Sequence, residues 1–152
     1  MTPPSERRIR CVGAVVLDDA GRLLLVRRAH EPGRGRWSIP GGRVEIGETD
    51  AHAVMREVTE ETGLAVEVTR MLGNVQRRAP GGAVFDIYDY RCRVSGGTLR
   101  PGDDADDARW CDPQTLATLP IVTGLIAALT EWRCLPPPQD PRHGDLSGSH
   151  EP

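Results

Sequence analysis

A chain of 152 residues fits one domain with a real hydrophobic core, and with three Trp, two Tyr and one Phe that core must be built from Val, Leu, Ile and Ala. All nineteen basic residues are arginine, the net charge is -3 and no long basic run is present, which argues against a nucleic-acid polymer as partner and leaves small nucleotides open. No apolar run is long enough to span a membrane and the opening MTPPSERRIR lacks the apolar segment of a signal peptide, so the expectation is a cytoplasmic protein that does not enter a membrane.

Residues 1–8 are polar and contain prolines, and a flexible terminus is expected there. Residues 9–17 (IRCVGAVVL) and 22–28 (RLLLVRR) are apolar runs separated by Asp18-Asp19-Ala20-Gly21, and together they read as a β-hairpin with a largely buried face. The proline and glycine loop 30–36 then leads into Trp37, read as a packing residue under the glycines that follow. In Pro40-Gly41-Gly42 there is no bulky side chain, so the backbone can approach a ligand closely.

Residues 42–64, GRVEIGETDAHAVMREVTEETGL, carry the strongest signal. Thr49 or Asp50 can cap a helix, and Gly63 is placed to end it in the left-handed conformation. At about 100° per residue, Glu57, Glu60 and Glu61 share an arc of roughly 100°, beside an apolar stripe of Ala51, Val54, Met55, Val58 and Thr62. Like charges three and four residues apart cost a few tenths of a kcal/mol per pair, so the cluster needs a compensating partner. Arg56 offers part of that compensation and a divalent cation would offer more. Hard oxygen ligands suit Mg2+ or Mn2+, which keep some waters and fill remaining positions with substrate phosphate oxygens. The cluster therefore predicts a metal-bridged phosphate substrate.

Beyond the helix, residues 64–76 alternate apolar and polar and read as a strand, 77–82 as a loop, and 83–94 (AVFDIYDYRCRV) as the longest strand-like run. Residues 95–97 turn the chain, 101–107 (PGDDADD) form an acidic loop, and 109–111 read as a short strand. Residues 113–133 have helical periodicity through Leu116, Leu119, Ile121, Leu125, Ile126 and Leu129. From Pro136 the chain has almost no apolar residues and reads as a disordered tail. Cys11, Cys92, Cys111 and Cys134 are too scattered for a zinc site or disulfide framework and read as reduced, buried small residues. Strands, a central helix and a C-terminal helix in this order indicate an α/β domain.

Gly42, Glu48, Arg56, Glu57, Val58, Glu60, Glu61, Gly63 and Leu64 fill, without departure, the pattern G, five residues, E, seven residues, R-E-hydrophobic-x-E-E-x-G-hydrophobic. This segment, with Trp37-Ser38-Ile39-Pro40-Gly41 before it, resembles the Nudix hydrolases. The resemblance implies an α/β/α sandwich around a mixed β-sheet, one domain over 9–135 with a tail over 136–152, and Mg2+-dependent hydrolysis of the diphosphate linkage in a nucleoside diphosphate joined to another group. It implies Glu57, Glu60 and Glu61 as metal ligands, with Glu57 or Glu60 doubling as the base, and Glu48 as an outer metal contact or orienter. Gly41 would offer a carbonyl to the metal, Arg56 would orient the catalytic carboxylates, Gly42 would lie against the substrate and Arg28 would reach a phosphate. Asp104, Asp106 and Asp107 are candidates for a further metal ligand or base. Pro80, sixteen residues beyond the segment, resembles the ADP-ribose pyrophosphatase subgroup, so ADP-ribose or a similar sugar nucleotide is the first substrate expected. The alternatives are an 8-oxo-dGTP-type nucleotide-pool hydrolase and a non-catalytic nucleotide sensor. Family members of this size are often homodimers.

Overall fold

Residues 6–102 and 105–135 are described by the computed structural model of the chain. Strand β1 (Arg8–Val16) is apolar on both sides, and it sits accordingly at the centre of the molecule, with Val12, Ala14, Val15 and Val16 all buried. β1 runs parallel to β6 (Val84–Gly97) and antiparallel to the short β4 (Gly41–Arg43). β6 pairs in turn with the long antiparallel β5 (Leu64–Arg78), giving a four-stranded mixed sheet in the order β4-β1-β6-β5. A second, antiparallel sheet has β2 (Leu23–Arg28) between β3 (Trp37–Ser38) and β7 (Ala105–Cys111).

The expected hairpin of residues 9–28 is therefore corrected. Its turn forms as expected, with Asp18 Oδ1 accepting from the Ala20 and Arg22 amides at 3.0 and 2.7 Å. β1 and β2, however, share one bridge, Leu17 to Leu23, and then part into different sheets. The reason lies in the residues: Leu23, Leu24, Leu25 and Val26 are buried in succession, so β2, like β1, must be covered on both faces and takes its own neighbours.

The two sheets form one layer. On one side Val12, Ala14, Val16 and Leu24 pack against helix α1 (Asp50–Thr62) through Ala53, Val54 and Val58. On the other, Val15, Leu23 and Leu25 pack against helix α3 (Leu125–Glu131) through Leu125 and Leu129. This is the α/β/α sandwich around a mixed sheet. Full burial of a side chain such as Val58 or Leu129 contributes about 1.5–3 kcal/mol. The α1 stripe is turned slightly from its expected position: Ala53 is buried, while Ala51 and Met55 are only half-buried.

The single helix expected over 113–133 is also corrected. Helix α2 (Pro113–Leu116) is one turn, and α3 starts only after Gly124, whose φ of 87° helical residues do not adopt. Between them the chain is extended beside Trp37, whose amide donates to the Pro120 carbonyl at 2.8 Å and whose carbonyl accepts from Val122 at 3.0 Å. Leu119 and Ile121 do reach the core, but from this extended segment. Residues 95–97 continue β6 instead of turning away, with Gly97 opposite Leu64.

All four cysteines are free and buried, and each Sγ lies 3.6–3.7 Å from the carbonyl oxygen two residues before it. Burial pushes the Cys92 thiol up to about 12 and raises those of Cys11 and Cys111. Among the described residues no helix is long and apolar enough to cross a membrane.

Candidate active site

Thr49 caps α1, its Oγ1 accepting from the His52 amide at 3.2 Å, and Gly63 ends it with φ 74° and an amide bond to the Thr59 carbonyl at 2.9 Å. Asp50 has a different duty from the capping expected of it. It takes two bonds of 2.8 Å from Arg10 of β1 and one from the Tyr90 hydroxyl of β6, which ties the start of the helix to the sheet. The Arg10 guanidinium, helped by Tyr90, holds the Asp50 carboxyl below its ordinary range.

Arg56 is the hub of the carboxylate face. Its Nε and Nη2 donate to the two oxygens of Glu48 at 2.7 and 2.9 Å, while Nη1 donates to Glu57 at 2.9 Å and Glu60 at 3.2 Å. Nη2 also reaches the Arg43 carbonyl at 3.0 Å, so one guanidinium binds the helix to the strand that carries the glycines. This fork, with the Glu45 amide at 3.0 Å, pulls the Glu48 carboxyl down to about 2. Glu61 also turns toward β4, and its Oε2 accepts from the Gly41 amide at 2.9 Å. The two glycines are required by contact as well as by chain direction. A Cβ on Gly42 would land on the Glu57 carboxylate, and one on Gly41 would strike the Val12 carbonyl oxygen.

The structure thus brings Glu48, Arg56, Glu57, Glu60, Glu61, Gly41 and Gly42 together. Among the described residues no three Asp, Glu, His or Cys side chains already lie close enough to share an ion. The donors nonetheless fit a hard divalent cation in their chemistry: Glu57 and Glu61 close on adjacent glycines, and the Glu60 side chain, 53% exposed, is held only by the guanidinium it shares with Glu57.

From this face a cleft of about 940 Å³ opens where the sheets part. Gly41, Gly42 and Glu61 border it at one end, Phe85 and Ile87 of β6 and Ile39 supply apolar wall, and Arg28, Arg36, Arg43, Arg77 and Arg78 give it a cationic lining. Pro80, in a turn after β5, lies on its border. Arg28 lines the cleft while its Nε donates to the Pro32 carbonyl at 2.6 Å, so it also braces the 30–36 loop.

Two of the three acidic candidates fall on a strand instead of a loop. Asp106 and Asp107 are on β7, which pairs with β2 because Ala105 and Ala108 bury against Val26. Asp106 lies 3.7 Å from Arg27, and Asp107 accepts from the Ala108 amide at 2.8 Å and from Arg109 at 2.9 Å. Asp104 lies outside the described residues.

One acidic residue in the cleft escapes the sequence reading. Asp89 of β6 is 5% exposed and borders the cleft, and among the described residues its Oδ1 finds no hydrogen-bond partner. Burial pushes its carboxyl up to about 6, with Arg77 working in the opposite direction. The signal was present in the alternation of the strand: Phe85, Ile87 and Asp89 share one face.

The family model described as NUDIX domain matches residues 7–132, a span that takes in every element from β1 to α3. The chain belongs to the Nudix family. Over 106 residues the Nudix chain is 40% identical to an ADP-ribose pyrophosphatase of Methanocaldococcus jannaschii, covering 68% of this chain and 62% of that protein. It is 36% identical over 138 residues to an 8-oxo-dGDP phosphatase of Homo sapiens, covering 85% of this chain and 41% of the relative. This Nudix chain therefore spans less than two thirds of the length of either protein. Its fold is similar to the crystal structure of the MutT protein from Methanosarcina mazei Go1, with a TM-score of 0.75 and 21% identity over 86% of this chain and 96% of that one.

Proposed function

We propose that this chain is a Mg2+-dependent pyrophosphohydrolase that cleaves the diphosphate linkage of a nucleoside diphosphate joined to another group, with ADP-ribose or a similar sugar nucleotide as its preferred substrate. The observation that carries this reading is the approach of Glu57 and Glu61 to the Gly41-Gly42 backbone at one end of an arginine-lined cleft. A diphosphate lying there has its anionic oxygens between carboxylates that need a cation and arginines that supply positive charge. Mg2+ or Mn2+, when bound, would neutralise the phosphate oxygens and lower the pKa of a water. Glu57, Glu60 and Glu61 would hold the ion, with the Gly41 carbonyl beside them. Glu57 or Glu60 takes the proton from the attacking water. Glu48 acts through Arg56, fixing the guanidinium that positions Glu57 and Glu60. Arg28 remains the candidate for a phosphate contact from the far side of the cleft, and Asp104, Asp106 and Asp107 for an added ligand or base.

The sugar-nucleotide preference is supported by Pro80 on the cleft border and by the 40% identity to a protein named as an ADP-ribose pyrophosphatase. A second reading, hydrolysis of an 8-oxo-guanine nucleotide, is favoured by the likeness to the human 8-oxo-dGDP phosphatase. A non-catalytic sensor is disfavoured by the intact set of Glu48, Glu57, Glu60 and Glu61.

The test is product analysis with Mg2+ across ADP-ribose, other sugar nucleotides, dinucleotides, and normal and 8-oxo deoxynucleoside di- and triphosphates. Cleavage of ADP-ribose to AMP and ribose phosphate is expected, with Glu60→Gln and Glu61→Gln each lowering turnover by about 10²-fold. Near-normal turnover in either variant would overturn the metal assignment. A preference for the 8-oxo nucleotides would install the second reading.

A further inference from the structure

We propose that Asp89 selects the substrate's base, its carboxylate, which borders the cleft, accepting a hydrogen bond from the exocyclic amino group of an inserted nucleobase. This rests on the nucleotide reading above and adds to it a class of base and the residue that reads it.

The placement of Asp89 in the sheet is the first ground. In register across all four strands stand Gly41 of β4, Gly13 of β1, Asp89 of β6 and Gly73 of β5. Asp89 has the one functional side chain in a row otherwise made of glycines. Its carboxylate lies over Gly13, where a Cβ would collide with Oδ1 and would come within 2.9 Å of Ile39 Cδ1. On the other side the Trp132 indole lies against Gly73, 2.6–2.7 Å from where a Cβ would be. Gly13 leaves the space that the carboxyl fills and Gly73 the space that the indole fills, so both side chains sit down against bare backbone.

Energy is the second ground. A side chain that is 5% exposed with an acceptor lacking a donor among the described residues is destabilising, more so when charged, and an apolar residue here would avoid the cost. Ile87 and Phe85, at the preceding positions on the same face, show that the strand carries apolar residues there readily. A ligand that brings its own donor removes the penalty, and an analogue without that donor restores it. Sites of this kind discriminate more strongly than apolar pockets do.

The surroundings choose among donors. A carboxylate repels a phosphate and attracts a hydrogen-bond donor. A sugar would bring several hydroxyls to a wall that includes Gly13, Ile39 and Ile87. A heteroaromatic ring matches that wall with its faces and the carboxylate with one amino group.

The experiment is calorimetric titration of the full chain, without metal, with matched nucleoside 5′-monophosphates: AMP against purine riboside monophosphate, GMP against IMP, and CMP against UMP. In the wild type one amino-bearing member should bind at least about tenfold more tightly than its partner. Asp89→Leu should reduce that ratio below about twofold, and Asp89→Asn, which keeps an acceptor oxygen, should fall between. Removing a buried charge should not lower the melting temperature of either variant, and the wild-type series needs no variant at all. A ratio unchanged in Asp89→Leu, or no amino pair distinguished by the wild type, overturns the assignment. So does a change confined to AMP against dAMP, titrated alongside these pairs, which would give Asp89 to the sugar. If nucleotides are cleaved normally while base selectivity ignores Asp89, only this inference falls. If no nucleotide binds or is cleaved, the nucleotide reading falls with it.

Discussion

Replacing Gly42 by alanine tests whether the position of Glu57 is what this glycine protects. The new Cβ would sit 2.6 Å from Glu57 Cδ and 2.9 Å from Oε2, against ordinary contacts of about 4 Å, so the carboxylate must retreat by about 1 Å. That movement pulls on the 2.9 Å bond from Arg56 and on the acid group offered to the metal. A misplacement of about 1 Å at a reacting centre costs about 10²-fold in rate, and overpacking costs about 1–3 kcal/mol of stability. At about 2–4 °C per kcal/mol for a chain of this size, the melting temperature should fall by about 2–12 °C. Gly47→Ala is the control, because Gly47 has φ 82° and nothing within 4 Å of its Cβ position. It should lose about 1–2 kcal/mol to backbone strain and keep its activity. Melting curves and steady-state kinetics with Mg2+ on the preferred substrate measure both effects. A folded Gly42→Ala enzyme within threefold of wild-type kcat would refute the reasoning. An equal loss of activity in Gly47→Ala would refute it too, by showing that the loop is generally sensitive.

Arg56→Met should lower the melting temperature by leaving Glu48 and Glu57 without their guanidinium, and millimolar Mg2+ should recover more stability in the variant than in the wild type; equal recovery in both would show that the ion does not take the place of Arg56. Glu48, held near 2, contributes stability that is complete above about pH 4.3 and is lost as the pH falls through 2, so Glu48→Gln should flatten the acid arm of a melting-temperature profile. Asp89 has the opposite sign: with its carboxyl raised to about 6, the folded state is favoured below about pH 3.9 and that advantage is lost as the pH rises through 6. Asp89→Asn should therefore gain on the wild type in melting temperature from pH 4 to 7 and then level off, and a constant offset would show that Asp89 titrates normally.

The site was legible where chemistry and spacing are local. Thr49, Gly63 and the arc of Glu57, Glu60 and Glu61 follow from one helix, and the structure has them as read. The pairing of strands was not, because the turn at Asp18 is equally good for a hairpin and for two strands that diverge. What separates them is burial on both faces of β2, which requires neighbours far away in sequence. The periodicity of 113–133 was misleading for a similar reason. Leu119 and Ile121 are apolar because they bury beside Trp37, and a period of 3.6 arose from two short helices with an extended segment between them. Asp89 was hidden in a strand with Asp86: the alternation puts the two on opposite faces, and the register with Gly13 and Gly73 shows which face buries its carboxylate.

The four thiols make the molecule its own reporter. Cys11 is in β1, Cys92 in β6, Cys111 in β7 and Cys134 just after α3, so each sheet and the α3 side of the sandwich has a sulfur in its interior. A thiol-trapping reagent reaches Cys92, Cys111 and Cys134 only when the structure around them opens, whereas Cys11 borders the cleft. The order in which those three are labelled would rank the local openings, Cys134 telling when α3 lifts and Cys92 when the central sheet separates. Ligands that close the cleft would then be recognised by which sulfurs they slow, without any added dye or label in the site.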